Sequence, residues 1–224
     1  NHDKDNPGTG YDKSDFEKTV TRTIDYTYGN GPKQGQTAAP TVTQNVDFTR
    51  NIVTDNVTGK EVQSGGGYTT TDWKATGDDK TWAQVDSPAI ASYTPSQTSV
   101  AEVTPTADTP NTDVHVVYTK NAPTMTTEKK TVNETIHYQG AGNQTPADHT
   151  ASVDFTRQVS TDAVTGEKTY GPWSADQSFD AVTSPELKGY TADKVQIDSQ
   201  TVNGDSKDLE FTVTYTKNAP TMTT

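Results

Sequence analysis

Apolar and polar residues alternate along much of this chain with a period of two. Residues 19–28 read TVTRTIDYTY, in which one side of an extended chain carries Val20, Ile24, Tyr26 and Tyr28. The other side carries Thr21, Thr23 and Asp25. Because successive side chains of a β-strand point to opposite faces, this alternation predicts a strand with one buried face.

The same alternation recurs further along. It places Val46, Phe48 and Ile52 on one side of a second predicted strand, and Val114, Val116 and Tyr118 on one side of a last strand. Thr is frequent in all of these segments, and β-branched residues favour strands. Helical spacing is scarce; the best candidates are short turns within 81–93 and 178–190, where a Pro limits any helix.

The chain also repeats itself. Residues 118–127 and 215–224 both read YTKNAPTMTT, VDFTR occurs at 46–50 and at 153–157, and KTVTRTIDY at 18–26 resembles KTVNETIHY at 130–138. The distance between matched segments changes only in stretches rich in Gly, Thr, Asp and Pro, where surface loops tolerate insertion. The sequence therefore predicts two copies of one β-rich domain.

The predicted organisation has five parts. They are a polar leader (1–17), a first repeat (18–120), a spacer (121–129), a second repeat (130–217) and a second spacer (218–224). Each repeat should form a mainly β, mostly antiparallel fold of about five or six strands with little or no helix. The short spacer with one Pro should act as a semi-rigid hinge, which would give an elongated rod. Because the chain ends on a spacer, we expect a further repeat to follow.

Charge and composition exclude several classes of protein. The chain has 30 acidic and 18 basic residues, a net charge of −12. Nucleic-acid binding needs a basic surface, and so does binding to an anionic membrane. The chain has no Cys, which excludes disulfides and thiolate chemistry. No apolar run approaches the roughly 18–20 residues of a membrane span.

No motif for catalysis, metal binding or cofactor binding is present. The four histidines, His2, His115, His137 and His149, stand in no HExxH pattern, and His115 and His137 fall on polar strand faces. There is no GxSxG elbow, no P-loop and no EF-hand loop. We therefore expect no enzyme activity, no catalytic or metal-binding residues and no cofactor.

Aromatic residues provide candidate ligand contacts. Trp73 with Tyr68, and Trp173 with Tyr170, hold similar positions in the two copies, and exposed aromatic rings can stack on the apolar faces of sugars. The alternative is that both Trp side chains cover an end of the core, because large aromatic residues dominate small cores. Trp82 aligns with Phe179, which predicts a core position.

Arg50 and Arg157 also match between the copies. The alternation places each with the apolar side of its strand. An Arg in this position is either paired at the end of the sheet or presented to an anionic group such as sialate, sulfate or carboxylate. The candidate ligand-binding residues are therefore Arg50, Tyr68, Trp73, Arg157, Tyr170 and Trp173.

Several short motifs together resemble a known family. The run TVxxTIxY, VDFTR, TDxVTG, V(D/T)SP, (S/G)YT and VxYTK is similar to the Mub repeats of mucus-binding adhesins from lactobacilli and related bacteria, in particular to their B2-type subdomain. The resemblance covers about 18–120 and 130–217. The second copy follows the pattern nearly throughout, whereas the first departs from it at SGGGYTTTDW (64–73).

The resemblance implies a β-grasp-like fold and an extracellular location on the bacterial surface, with covalent anchoring to the cell wall through a sorting signal outside this segment. It implies host mucin glycoproteins or their glycans as partners, bound weakly and multivalently, with immunoglobulins as a second class of partner. No nucleic acid or membrane insertion is implied, and we expect a monomer. The alternative function is a structural stalk that projects another domain.

Overall fold

A computed structural model describes residues 2–8, 10–53 and 71–223, and it divides the chain into two compact units, Asn1–Asn121 and Ala122–Thr224. In the described part of the chain, helical structure is limited to two short 3-10 helices, Lys13–Asp15 and Gly142–Gln144. None of the described helices is long and apolar enough to cross a membrane. The predictions of a mainly β fold and of two tandem domains are confirmed.

The first unit, called repeat 1 below, is built on a mixed sheet. Its strands are β1 (Glu17–Tyr28), β2 (Thr37–Thr49), β3 (Lys74–Thr76), β4 (Val85–Asp86), β5 (Tyr93–Pro95), β6 (Ser99–Val100) and β7 (Thr112–Lys120). Five of them form one sheet in the order β3-β2-β1-β7-β5, and β4 pairs with β6. All pairs are antiparallel except β1 with β7, which is parallel.

The second unit, repeat 2, has the same plan. Its strands are β8 (Thr124–Gln139), β9 (His149–Thr161), β10 (Lys168–Tyr170), β11 (Gln177–Phe179), β12 (Val182–Thr183), β13 (Tyr190–Ala192), β14 (Gln196–Ile197), β15 (Gln200–Val202) and β16 (Leu209–Lys217). The main sheet has the order β10-β9-β8-β16-β13. Its first strand β8 again lies parallel to the last strand β16, as expected of a β-grasp-like sheet.

The two segments named as candidates for short helical turns, 81–93 and 178–190, contain no helix, in agreement with the prediction of little or no helix. The first segment contains the strand β4, and the second contains β12 and the end of β11. Trp82 instead forms a β-bridge with Val103, and the equivalent Phe179 pairs with Gln200. These aromatic residues lie in extended segments, and their side chains pack in the core beneath the main sheet.

Two segments outside the predicted repeats take part in the folded units. Phe16, in the polar leader, is fully buried, and its carbonyl accepts a hydrogen bond from the Arg50 amide. The strand β8 begins at Thr124, inside the predicted spacer, and Met125 pairs with Ser160 of β9. The regular structure of repeat 2 therefore extends into the repeated sequence YTKNAPTMTT.

The buried side of each sheet follows the predicted alternation. In repeat 1, Val20, Ile24 and Tyr26 are all at most 1% exposed, and Val132 and Ile136 are fully buried in repeat 2. Trp82 and Phe179 lie in the core, as predicted. The Ser-Pro turns are attached to the core through tyrosine hydroxyls: Tyr118 donates to the Pro88 carbonyl, and Tyr215 donates to the Pro185 carbonyl.

Repeat 1 buries a charged residue in this core. Arg22 is 2% exposed and lies on the same face as Val20 and Ile24. Its Nε donates to the Gln44 side chain at 2.8 Å, and its terminal nitrogens donate to the carbonyls of Ala83 and Ala101. The guanidinium also lies 5.5 Å from the centre of the Trp82 ring. Arg22 is therefore a satisfied structural residue, since its donors have acceptors.

Repeat 2 has an acidic residue at the equivalent position. Glu134 matches Arg22 in the aligned segments 18–26 and 130–138, and it is 1% exposed. Neither of its carboxyl oxygens has a hydrogen-bond partner among the described residues. Burial raises the pKa of Glu134, an effect that the charge of His149 partly opposes. The two repeats thus share a fold and differ in the electrostatics of their cores.

Candidate functional site

Three of the predicted ligand-binding residues meet in repeat 2. The guanidinium carbon of Arg157 lies 4.3 Å from the centre of the Tyr170 ring and 4.3 Å from the centre of the Trp173 ring. At this distance both rings interact with the cation through their π faces. The three side chains line an open pocket of about 430 Å³, together with Asp176, Asn203 and Asp205.

The local backbone explains why these residues meet. Tyr170 ends the short strand β10 opposite Val159 of β9, and the chain then continues along β9. The amide of Gly171 donates to the Gln158 carbonyl, and the amide of Ser174 donates to the Thr156 carbonyl, both at 2.8 Å. Residues 170–174 are therefore held beside Arg157, with one aromatic ring near each end of the segment.

Arg157 is paired with a carboxylate. Its Nε donates to Glu128 Oε2 at 2.8 Å, and the Arg157 side chain is 23% exposed. The hydrogen bond that Arg157 donates to Glu128 raises the pKa of Arg157, and the negative charges of Glu128 and Asp205 act in the same direction. Of the two alternatives for this Arg, pairing within the sheet is the one that the geometry supports.

A glycine supports the other side of the Trp173 ring. A methyl group built on Gly204 would overlap the ring, so Trp173 lies directly on the backbone there. The turn around Gly204 is held by Lys130 of β8, whose Nζ donates to the Gly204 carbonyl at 2.6 Å. The Asn203 side-chain oxygen closes the turn by accepting a hydrogen bond from the Asp205 backbone amide at 2.8 Å. Trp173 is therefore fixed between a cation and a rigid turn.

The aromatic residues of the site differ in exposure. Trp173 is half-buried and packs against the core cluster that contains Val132 and Phe155. This supports the alternative that the Trp covers an end of the core. Tyr170 is 52% exposed, which makes it one of the most exposed large apolar side chains among the described residues. Tyr170 is therefore the ring that a ligand can reach.

Repeat 1 has a simpler version of this arrangement. Arg50 lies 4.6 Å from the centre of the Trp73 ring, and its Nε donates to the Asp15 carbonyl at 2.8 Å. Trp73 is half-buried and packs on a core cluster that includes Ala107. Ala107 occupies the position of Gly204 in the alignment. Tyr68, the remaining predicted contact, lies outside the described residues.

The sequence did not indicate three residues that shape the site: Glu128, Gly204 and Asp205. Glu128 pairs with Arg157 only because β8 and β9 place the two residues opposite each other. The Gly204 difference was visible in principle, because the two copies align as Ala107 and Gly204 around the matched Asp108 and Asp205. The difference between Ala107 and Gly204 gains its meaning from the position of the Trp173 ring, which lies on the glycine.

Two of the histidines are paired with single carboxylates. His115 Nδ1 lies 2.7 Å from Asp25 Oδ2, and His137 Nδ1 lies 2.9 Å from Asp148 Oδ2. The hydrogen bond to Asp25 raises the pKa of His115. Within 2–8, 10–53 and 71–223, no group of three or more His, Cys, Asp or Glu side chains is arranged to hold a metal ion.

The fold and the site define a tandem-repeat β protein in which each repeat carries an Arg stacked on a Trp at the end of its sheet. A family model for the Muc B2-like domain matches residues 11–122 and 123–219. The chain therefore belongs to the Muc B2-like domain family, with one domain in each repeat. This confirms the family resemblance drawn from the sequence.

The chain is also similar to several solved structures. Mub-RV is 25% identical over 89% of this chain and 100% of its own, with a TM-score of 0.51. The mucin-binding domain of Spr1345 from Streptococcus pneumoniae is 34% identical over 43% of this chain and 99% of its own, with a TM-score of 0.40. The MucBP domain of the adhesion protein from Pediococcus pentosaceus is 39% identical over 40% of this chain and 100% of its own, with a TM-score of 0.34. No curated protein sequence matches the chain.

Proposed function

We propose that the two repeats belong to an adhesin on the surface of a Gram-positive bacterium and that they bind mucin glycoproteins or their glycans. Family membership supports the general class, since the similar domain from Streptococcus pneumoniae is described as mucin-binding. The observation that carries the proposal is the pocket in repeat 2, where an exposed Tyr170 ring stands beside Arg157 and Trp173. Aromatic rings next to polar side chains suit a sugar ring, which has both apolar and hydroxyl-bearing faces.

Binding at each repeat is weak and gains strength by repetition. The chain carries a net charge of −12, and mucin is itself anionic, so bulk charge attraction cannot supply affinity. An open pocket buries little of a ligand, which limits the affinity of a single site. Several linked repeats raise the overall affinity through their effective concentration. The protein acts as a monomer, without a cofactor and without catalysis.

The location follows from the same proposal. The repeats lie outside the cell, in a surface protein that is anchored to the cell wall through a sorting signal elsewhere in the longer chain. The high Thr content and the absence of Cys suit an exposed domain that does not depend on disulfides.

Binding of the two-repeat protein to immobilised mucin tests the proposal. The variants Trp173→Ala and Trp73→Ala, shown to be folded by circular dichroism, are compared with the wild type, with and without sialidase treatment of the mucin. Loss of binding in folded Trp173→Ala supports the site in repeat 2. If a multimerised wild-type protein gives no signal on mucin, the proposal is wrong.

The stalk alternative has one observation in its favour. Both Trp73 and Trp173 are half-buried against core clusters, so their first role is structural. A stalk would bind no ligand, so its stability would be the only one of its properties that could be measured. Absence of binding to mucin and also to immunoglobulins, the second class of partner, would favour the stalk.

A further inference from the structure

The pocket in repeat 2 contains more acidic groups than basic ones. Its guanidinium, from Arg157, is hydrogen-bonded to Glu128 at 2.8 Å. Two further carboxylates, from Asp176 and Asp205, are exposed at the rim. The net formal charge of these groups is negative, although the sequence alone pointed to Arg157 as a possible contact for an anion.

An acidic ligand meets two penalties in this pocket. It must share the Arg157 guanidinium with Glu128, whose carboxylate already balances that positive charge. It must also approach the carboxylates of Asp176 and Asp205, and unfavourable like-charge contacts of this kind are a common means of rejecting a ligand. Sialate and sulfate groups are therefore poor ligands for this site.

A neutral sugar meets neither penalty. One face of the Tyr170 ring is covered by the Arg157 guanidinium, and 52% of the residue remains exposed to receive the apolar face of a sugar ring. The carboxylates of Asp176 and Asp205 accept hydrogen bonds, and the exposed Asn203 side chain carries an amide group that can donate them. This combination of donors and acceptors matches sugar hydroxyl groups.

The pocket is also preorganised. Trp173 is fixed between Arg157 and the Gly204 backbone, and the turn that carries Asn203 and Asp205 is held by Lys130. Ligand binding therefore needs little ordering of these groups, which reduces the entropic cost of association.

We propose that this pocket binds an uncharged hexose or N-acetylhexosamine unit, stacked on Tyr170 and hydrogen-bonded to Asp176, Asn203 or Asp205, and that it discriminates against acidic sugars. This inference rests on the proposed function and narrows it to one class of mucin glycan unit. Because mucin chains carry both neutral and acidic termini, the site would recognise the units that sialic acid does not cap.

Saturation-transfer NMR of the two-repeat protein tests the inference with methyl β-galactoside, N-acetylgalactosamine and N-acetylneuraminic acid as separate probes. We expect the neutral sugars to bind with a Kd on the order of 1–10 mM and the acidic sugar to bind at least about tenfold more weakly. Tyr170→Ala should weaken neutral-sugar binding about tenfold, whereas Tyr170→Phe, which keeps the ring, should retain it.

Binding to mucin with and without sialidase treatment distinguishes the proposed mucin binding from the neutral-sugar inference. Sialidase treatment should increase binding, because it exposes neutral termini. If sialidase abolishes mucin binding, or if N-acetylneuraminic acid binds better than the neutral sugars, the neutral-sugar inference is wrong and mucin binding stands. If mucin is bound and neither neutral sugar is, the inference is also wrong. If neither mucin nor any sugar is bound, both proposals are wrong.

Discussion

Trp173 lies on the backbone of Gly204, and no side chain larger than hydrogen fits between them. The equivalent residue of repeat 1, Ala107, has a methyl group at this position and is 5% exposed within the core. Gly204 therefore allows the Trp173 ring to lie against the backbone in repeat 2, where it stacks on Arg157.

Gly204→Ala should displace Trp173 from its place beside Arg157. We expect repeat 2 to lose about 1–3 kcal/mol of unfolding free energy, because the added methyl group overlaps the ring. The near-ultraviolet circular dichroism should change, and sugar binding to repeat 2 should fall. The matched control is Ala107→Gly in repeat 1, which should leave repeat 2 unchanged. An unaltered Trp173 environment in Gly204→Ala would contradict the expectation.

Glu128→Gln should change the charge preference of the pocket. Removing the carboxylate leaves Arg157 without its ion-pair partner, so binding of N-acetylneuraminic acid should rise by about tenfold. The measurement is NMR titration with the acidic and neutral sugars in parallel. Glu186→Gln removes the same charge from an exposed residue that does not line this pocket, and it serves as the control. Equal effects of both variants would show that only bulk charge matters.

The buried Glu134 should make the stability of repeat 2 depend on pH. Because burial raises its pKa in the folded state, the folded protein holds this proton more tightly than the unfolded chain. The contribution of Glu134 to the free energy of unfolding should therefore be most favourable below the ordinary Glu pKa of about 4.3 and should be lost as pH rises through the raised value.

Glu134→Gln removes this titration. The variant should unfold at a higher temperature than the wild type at neutral pH, and the difference should shrink at about pH 3. Thermal denaturation of both proteins across this pH range is the measurement. Glu210→Gln, at an exposed position of the same repeat, should show no such pattern. A wild-type profile that matches Glu134→Gln at every pH would refute the assignment.

Arg22→Met should destabilise repeat 1. The variant keeps most of the apolar volume of the side chain but removes the donors that serve Gln44, Ala83 and Ala101. We expect a loss of about 2–4 kcal/mol, because charged hydrogen bonds are lost and buried acceptors are left unpaired. Arg22→Lys, which keeps the charge without the planar fork, should fall between the two. Urea denaturation measures the series, and equal midpoints would contradict the expectation.

The sequence predicts which face of β1 is buried, but it does not predict how a charged residue on that face is accommodated. Val20 and Ile24 were assigned to the buried face because period-two alternation is a local property of the chain. Arg22 lies between them on the same face, yet its burial depends on carbonyls 61 and 79 positions away in the sequence. Glu134 has the same position in its strand, and its carboxyl oxygens have no hydrogen-bond partner in the part of the chain that the structure describes. A single sequence therefore predicts which face of a strand is buried, but it does not predict the hydrogen-bond partners of a polar residue on that face.

The candidate site shows the same division. Arg157, Tyr170 and Trp173 were selected by matching the two copies and do lie together in repeat 2. The ion pair with Glu128 depends on the register between β8 and β9, which decides whether the guanidinium is available to an anion. The matched residue types therefore indicated the pocket, whereas the strand register, which pairs Arg157 with Glu128, determines the net charge of the pocket.

The parallel pairing of the first and last strands has a consequence for a protein that is pulled. In repeat 1, β1 and β7 are in register from Arg22 with Thr112 to Tyr28 with Tyr118, and β8 and β16 are paired in the same way in repeat 2. Because the two strands are parallel, the start of the first strand and the end of the last strand lie at opposite ends of the pair. Tension along the chain therefore loads the hydrogen bonds between the two strands together, in shear, instead of opening them one at a time. We therefore expect each repeat to resist stretching, and single-molecule stretching should show a distinct unfolding event for each.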